Sequence, residues 1–225
     1  MKPRRPKTDR GADLEGMARG VREFLRAAIG SDIEGELART PGRVARAWKD
    51  DLLAGYRENP AAILTPLRSE RSRDLVALRG IEFVSTCSHH LLPFHGTVHL
   101  AYLPDGRITG ISRLPKLVRC LSRRLQIQED LTRRLADELA SGLRPRGAAC
   151  VIEAAHLCMS ARGGRGSSGT VVTTAFTGIY VKDSRERSQI VSLLLGRAGP
   201  RRGVRSGGRS RKEGSARRAR RRSPR

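Results

Sequence analysis

The chain has 225 residues, a formal net charge of +23, 38% apolar residues and only 4% aromatic ones. That length holds one domain of moderate size with an extension, and its core must rest on Leu, Val, Ile and Ala. No run is long and apolar enough to cross a bilayer, and residues 1–10 lack the apolar segment of a secretory signal. A soluble, cytoplasmic protein with reduced or metal-bound cysteines is expected, with no membrane association and no disulfide framework.

The charge is unevenly spread. Residues 197–225 hold 13 Lys or Arg against the single Glu213, a balance of +12. Gly, Ser, Pro and Arg dominate this tail from residue 196 onward. It cannot bury enough surface to offset ordering entropy, so it is expected to be disordered. One reading makes it a sticky arm for nucleic acid or another polyanion; the other, a merely solvated tail, is favoured because no aromatic residues alternate with the basic ones as a stacking platform would require.

Residues 1–10 read as a basic, unstructured leader. Leu14, Met17, Val21, Phe24, Leu25 and Ile29 then recur at three- and four-residue steps, which predicts an amphipathic helix ending at Gly30. Thr40-Pro41 opens a second helix, with Thr as N-cap, running through Val44, Ala45, Trp48 and Leu52 to about Tyr56. Residues 57–72, with Pro60 and Pro66, read as a loop. The helical arm thus covers 11–72 and the principal domain 73–195. Strand character appears over 73–77 and 81–86, and again over 96–103 before the Pro104-Asp-Gly106 turn. Helices are predicted over 114–125 and 128–143, the second with Glu129 and Asp130 in its first turn. Strands over 148–158 and 170–180 follow, then a helix over 184–195. The class is α+β, with core order β-β-α-α-β-β.

Chemistry concentrates in two short motifs. Four of the five histidines lie between Cys87 and His99, and the fifth belongs to His156-Leu-Cys158. Thiolate and imidazole suit a borderline-soft metal such as zinc (Zn2+). Cys87 and His90 are three apart, within reach of one centre across a tight turn. His156 and Cys158 are two apart in a β-rich run, which places both on one face of a strand. Three protein ligands make a catalytic zinc site with an open position for water, and a fourth would close it. Cys120 and Cys150 fall at apolar positions and read as core residues, while His95 and His99 read as strand or strand-edge histidines.

These motifs occur together with others in a characteristic order. They are Thr40-Pro-x-Arg43-Val, Cys87-x-His-His-Leu-Leu-Pro-Phe94, Gly110-Ile-Ser112, Arg123-Arg-Leu-Gln-Ile-Gln128-Glu129-x-Leu-Thr132, His156-x-Cys158-Met-x-x-Arg162-Gly163 and Val171–Thr174. Over about residues 14–195 the chain resembles the GTP cyclohydrolase I family. The resemblance implies a tunnelling fold of antiparallel sheet backed by helices, assembled as a homodecamer of two stacked pentamers. It also implies zinc-dependent opening of the imidazole ring of GTP, formate release and formation of 7,8-dihydroneopterin triphosphate, the first step of folate or pterin biosynthesis.

Carried over position by position, Cys87, His90 and Cys158 match the zinc ligands. His89 and His156 match the acid–base histidines. Gln128 and Glu129 match the guanine-reading end of the pocket, and Ser112 a contact to the sugar or triphosphate. Arg162, Arg113, Lys116, Arg43 and Arg46 are the triphosphate candidates, the last two reaching a neighbouring subunit. Three positions depart from the family pattern. Ser88 stands where glutamate is usual, Arg113 where Lys is usual, and Lys116 where Arg is usual. Two rival readings have their own marks: a deazapurine-pathway enzyme of the same fold, dependent on a nicotinamide cofactor, and a zinc-stabilised nucleic-acid-binding protein dependent on its tail.

Overall fold

The computed structural model describes residues 12–69, 71–161 and 169–196. The expected leader, Arg162 and the tail from residue 197 lie outside the described residues. The architecture is a mixed one of helix and sheet. In chain order it comprises α1 (Leu14–Ile29), α2 (Thr40–Ala47), β1 (Leu67–Arg68), β2 (Val76–Cys87), β3 (Pro93–Leu103), β4 (Arg107–Ile108), α3 (Arg113–Ser122), β5 (Leu125–Gln126) and α4 (Gln128–Leu143). These are followed by β6 (Gly147–His156), α5 (Leu157–Ser160), β7 (Val171–Phe176), α6 (Ile179–Lys182) and α7 (Ser184–Leu194).

Helix α1 begins where Asp13 caps it, its Oδ1 accepting from the Gly16 N–H at 2.9 Å, and it ends on left-handed Gly30. The second helix departs from expectation at both ends. Thr40 is its first residue and not its cap, because a 3-10 turn over Gly35–Arg39 already leads into it. Beyond Ala47 the chain widens into a π-helical turn (Trp48–Leu52) and then a 3-10 turn (Ala54–Arg57), so no single helix reaches Tyr56. Apolar periodicity alone does not separate these helix types.

The tight turn around Gly55 docks these helices on the sheet domain. The Gly55 N–H donates to the Arg123 carbonyl at 3.1 Å. Arg124 lies over the Tyr56 ring, 5.7 Å from its centroid, and donates to the Glu58 carbonyl at 3.4 Å. A Cβ at Gly55 would overlap the Cys120 carbonyl oxygen and stand 2.9 Å from that of Arg123. Gly55→Ala is therefore expected to cost about 1–3 kcal/mol, read as a lower urea midpoint.

Five strands form one sheet in the order β5-β2-β3-β6-β7. Pairing is antiparallel throughout except that β5 runs parallel to the last two residues of β2. Strand β2 spans most of the stretch where strand character was expected over 73–77 and 81–86, and a register shift between Leu78 and Ile81, with left-handed Gly80, absorbs the interruption. One sheet face, carrying Val98, Leu100, Tyr102, Cys150 and Ile152, packs against Leu114, Leu117 and Leu121 of α3 and Leu131, Leu135, Leu139 and Leu143 of α4. The four α4 leucines recur at every fourth position. Burying each contributes about 1.5–3 kcal/mol. The opposite face carries a smaller cluster in which Ala101, Ala149 and Val151 lie with Tyr180, Ile190 and Leu194.

Strand β6 also corrects an expectation. It ends at His156, and Leu157–Ser160 turn into the short helix α5, so Cys158 projects from a helical turn and not from the strand. An apolar run reads alike for a strand end and a buried helical turn.

On the second sheet face, buried His99 accepts from the Gly80 N–H at Nδ1 (3.3 Å) and lies 3.5 Å from Glu153 through Nε2. Burial pushes this imidazole below its ordinary value; Glu153 opposes the shift and Arg79 adds to it. The unfolded chain takes up the proton near pH 6.5, the folded chain only at lower pH. Stability is thus full above about pH 6.5 and is lost as pH falls toward the depressed folded-state value. The urea midpoint should fall between about pH 7 and pH 5, with a shallower slope in His99→Gln.

Candidate metal centre and active site

Cys87 closes β2, and the next residues turn tightly into β3. The Cys87 N–H donates to the Leu92 carbonyl and the Leu91 N–H to the Cys87 carbonyl, both at 2.9 Å. Leu91 takes a left-handed φ of 56°, a conformation that costs a bulky residue about 1–2 kcal/mol. The turn brings His90 back over Cys87, and α5 brings in Cys158 from the end of β6. The ligand atoms of Cys87, His90 and Cys158 all lie within 4.8 Å of one another, with both cysteines buried and His90 exposed. Two thiols and one imidazole at this separation fit zinc in the chemistry of the donor set. His89 is exposed on the same turn, its ring centroid 6.2 Å from that of His90.

His156 sits beside this group, half-buried. Its ring stacks on Phe94 at 4.7 Å between centroids and 4° between planes. Its Nδ1 lies 4.0 Å from Cys158 Sγ, and its Nε2 lies 2.7 Å from the Gln128 side-chain oxygen. Burial lowers the affinity of this imidazole for a proton, and the Glu129 carboxylate opposes that. The Gln128 side chain is buried and turned inward, whereas the next residue, Glu129, is exposed. Glu129 lines a cavity of about 270 Å³ with Asp130, Arg133, Thr173 and Thr174. Phe94, Thr132 and Thr173 lie inside the quoted motifs but were given no role beside His156 and Gln128, because stacking and long-range hydrogen bonds leave no mark in local spacing.

The remaining candidates lie elsewhere. Ser112, Arg113 and Lys116 are at the start of α3, whose far end feeds β5 alongside Cys87. That helix is about 15 Å long, so these three stand away from the metal group of their own chain. Two strands separate β2, on which α3 packs, from β7 beside Glu129, or about 14 Å of sheet. Arg43 pairs with Glu36 at 3.2 Å and Arg46 is exposed, both on α2. Cys120 and Cys150 are core residues, as their apolar positions suggest, and burial raises both thiols above their ordinary value.

Fold and site together define a protein of mixed helix and sheet with a Cys–His–Cys group able to hold a metal at a strand end, flanked by further histidines. Residues 17–195 match the family model of GTP cyclohydrolase I, and the chain belongs to that family. Relatives named GTP cyclohydrolase 1 agree over most of their length. The protein of Thermobifida fusca (strain YX) is 43% identical over 190 residues, covering 83% of this chain and 91% of its own. That of Campylobacter curvus (strain 525.92) is 40% identical over 182 residues, covering 80% and 95%. That of Mycobacterium marinum is 41% identical over 191 residues, covering 84% and 94%.

Proposed function

We propose that this chain is a zinc-dependent GTP cyclohydrolase that opens the imidazole ring of GTP, releases C8 as formate and rearranges the remainder to dihydroneopterin triphosphate. The observation that carries the reading is the Cys87–His90–Cys158 group with His156 at its side, in a chain of this family. Zinc held by those three residues supplies Lewis acidity, which makes water a competent nucleophile near neutral pH. The chain's own residues do the rest. His156 and His89 move protons to and from the purine ring nitrogens and the ribose, work for which imidazole is suited near neutrality. Glu129 accepts from N1–H and the 2-amino group of guanine, an edge that adenine does not offer. Arg113, Lys116, Arg43, Arg46 and Arg162 bind the triphosphate, guanidinium groups pairing with phosphate oxygens in a fork and Lys as a point charge. Ser112 contacts the sugar or the triphosphate.

The separation of these residues supports an assembly of several copies. Strand β5 covers only Thr86 and Cys87, so the rest of β2 has an open edge among the described residues, as has the outer side of β7. Pairing such edges between copies would build one ring of tunnelling-fold subunits, two of which stack in the homodecamer of the family reading. It also sets Ser112, Arg113 and Lys116 of one copy toward the Glu129 cavity of the next. In that reading, residues 11–72 form the helical arm, 73–195 the catalytic domain and 196–225 an Arg-rich tail. Among the described residues no helix is long and apolar enough to cross a membrane.

The test is incubation of the purified protein with GTP, assaying formate and the oxidised fluorescent pterin with and without a chelator. Both products should appear, vanish on chelation and return with zinc. Absence of both from zinc-loaded, assembled protein overturns the assignment, and formate alone places the fault at the rearrangement step.

A further inference from the structure

Gln128 opens α4 with a side chain only 1% exposed, and its whole amide is engaged inside the protein. The nitrogen Nε2 faces three acceptors: the carbonyls of Ile152 (3.2 Å) and Val171 (3.0 Å) and Thr173 Oγ1 (3.0 Å). Two of these are backbone carbonyls, which only accept, so this end of the amide must be its nitrogen. The other end is therefore the oxygen, and it meets His156 Nε2 at 2.7 Å. An amide oxygen cannot donate. The proton of that hydrogen bond must sit on His156 Nε2.

Two hydroxyls reinforce the orientation. Thr132 Oγ1 donates to the Gln128 backbone carbonyl at 2.7 Å and lies 2.6 Å from Thr173 Oγ1. With the Thr132 proton committed to that carbonyl, Thr173 donates to Thr132 and accepts from the Gln128 amide. The chain of donors thus runs from Gln128 nitrogen through Thr173 and Thr132 back to Gln128. Phe94, stacked on the imidazole, holds the ring plane. A neutral imidazole with its proton on Nε2 leaves Nδ1 as a lone pair, and Nδ1 is the atom on the Cys158 side, 4.0 Å from Sγ.

We propose that Gln128 is the positioning residue of His156, its amide fixing the ring as the Nε2–H tautomer with the Nδ1 edge turned toward the Cys87–His90–Cys158 group. This deepens, and rests on, the reading of His156 as an acid–base residue. Of the adjoining pair, guanine reading then falls to Glu129, and Gln128 acts through the histidine.

The experiment pairs a variant with a direct reading of the tautomer. Gln128→Met keeps the side-chain volume but removes the amide. In zinc-loaded protein shown to retain one metal per chain, it is expected to lower kcat about 10–100-fold, the usual effect of losing a histidine's orienting partner. KM for GTP should stay within about threefold of the wild-type value, and the preference for GTP over inosine triphosphate should not change. A raised KM with kcat held and that preference lost would show Gln128 reading the base, and would overturn the proposal. Should Gln128→Met fail to fold, the wild-type protein decides. Nitrogen-15-labelled histidine in the full-length, zinc-loaded assembly should show the His156 proton on Nε2, the signal being assigned by its loss in His156→Asn. A proton on Nδ1 overturns the proposal. That spectrum needs no GTP turnover, so failure of the reaction assignment and failure of the Gln128 role are separable.

Discussion

Replacing Cys87 with alanine is expected to give a folded protein that retains no stoichiometric zinc and turns GTP over at least about a thousandfold more slowly. Two of the three clustered donors are thiols, and as thiolates they supply the negative charge that compensates a divalent cation. Removing one leaves a single thiol and the exposed His90, too few donors of too little charge to compete with water. The fold should survive because the Cys87 ladder and turn bonds are carried by its backbone, the N–H to Leu92 and the carbonyl from Leu91. Three readouts separate the possibilities. Metal per chain should fall from near one to near zero, and kcat should fall with it. The wild-type melting temperature should rise with added zinc, since binding to the native state at a hundredfold excess over Kd contributes about 2.7 kcal/mol. The variant should show no such rise. A Cys87→Ala protein with full metal and full rate would place the metal on another donor set.

The sequence made the Cys–His–Cys cluster legible for a reason that did not depend on the local structure being right. Cys158 was expected on a strand and stands on a helical turn, yet it meets Cys87 and His90, because the two motifs lie at adjoining ends of paired strands. Phe94 is the register partner of His156, so the start of β3 and the end of β6 bring the motifs together. Helix α1 was legible because its apolar stripe is bounded by an Asp cap and a left-handed Gly, both local signals. The irregular turns after Ala47 were not, because each runs for little more than one turn, too short for its own period to show in the apolar spacing. What no local pattern reveals is the link between Gln128 and His156, 28 residues apart and joined by a single hydrogen bond. The position of α3 is a limit of a different kind. Its first residues were expected to bind substrate, but one copy of the chain sets α3 against β2, two strands away from β7 beside Glu129.

Glu129→Gln is the substitution that most sharply separates two explanations of one residue. Glu129 is the second residue of α4, a helix with no side-chain N-cap, and an acid there complements the positive helix end. If that were its whole role, neutralising it would cost about 0.3–1 kcal/mol of stability and leave turnover unchanged. The cavity it lines points to the larger role. An exposed carboxylate facing Thr173 and Thr174 offers two acceptor oxygens to two donors on the guanine edge, and hydrogen bonds to a charged group are worth about 1.5–3 kcal/mol each. Glutamine keeps one acceptor and turns an N–H toward a donor, so both bonds are weakened or lost. The expected result is a fall of two to four orders of magnitude in kcat/KM for GTP, about 3–6 kcal/mol, carried mainly by KM. Inosine triphosphate, which lacks the 2-amino group, should be a much poorer substrate than GTP for the wild type and nearly its equal for the variant. A variant that melts slightly lower but keeps both its rate and its preference for GTP would return Glu129 to the helix end and leave the guanine edge to be read by another residue.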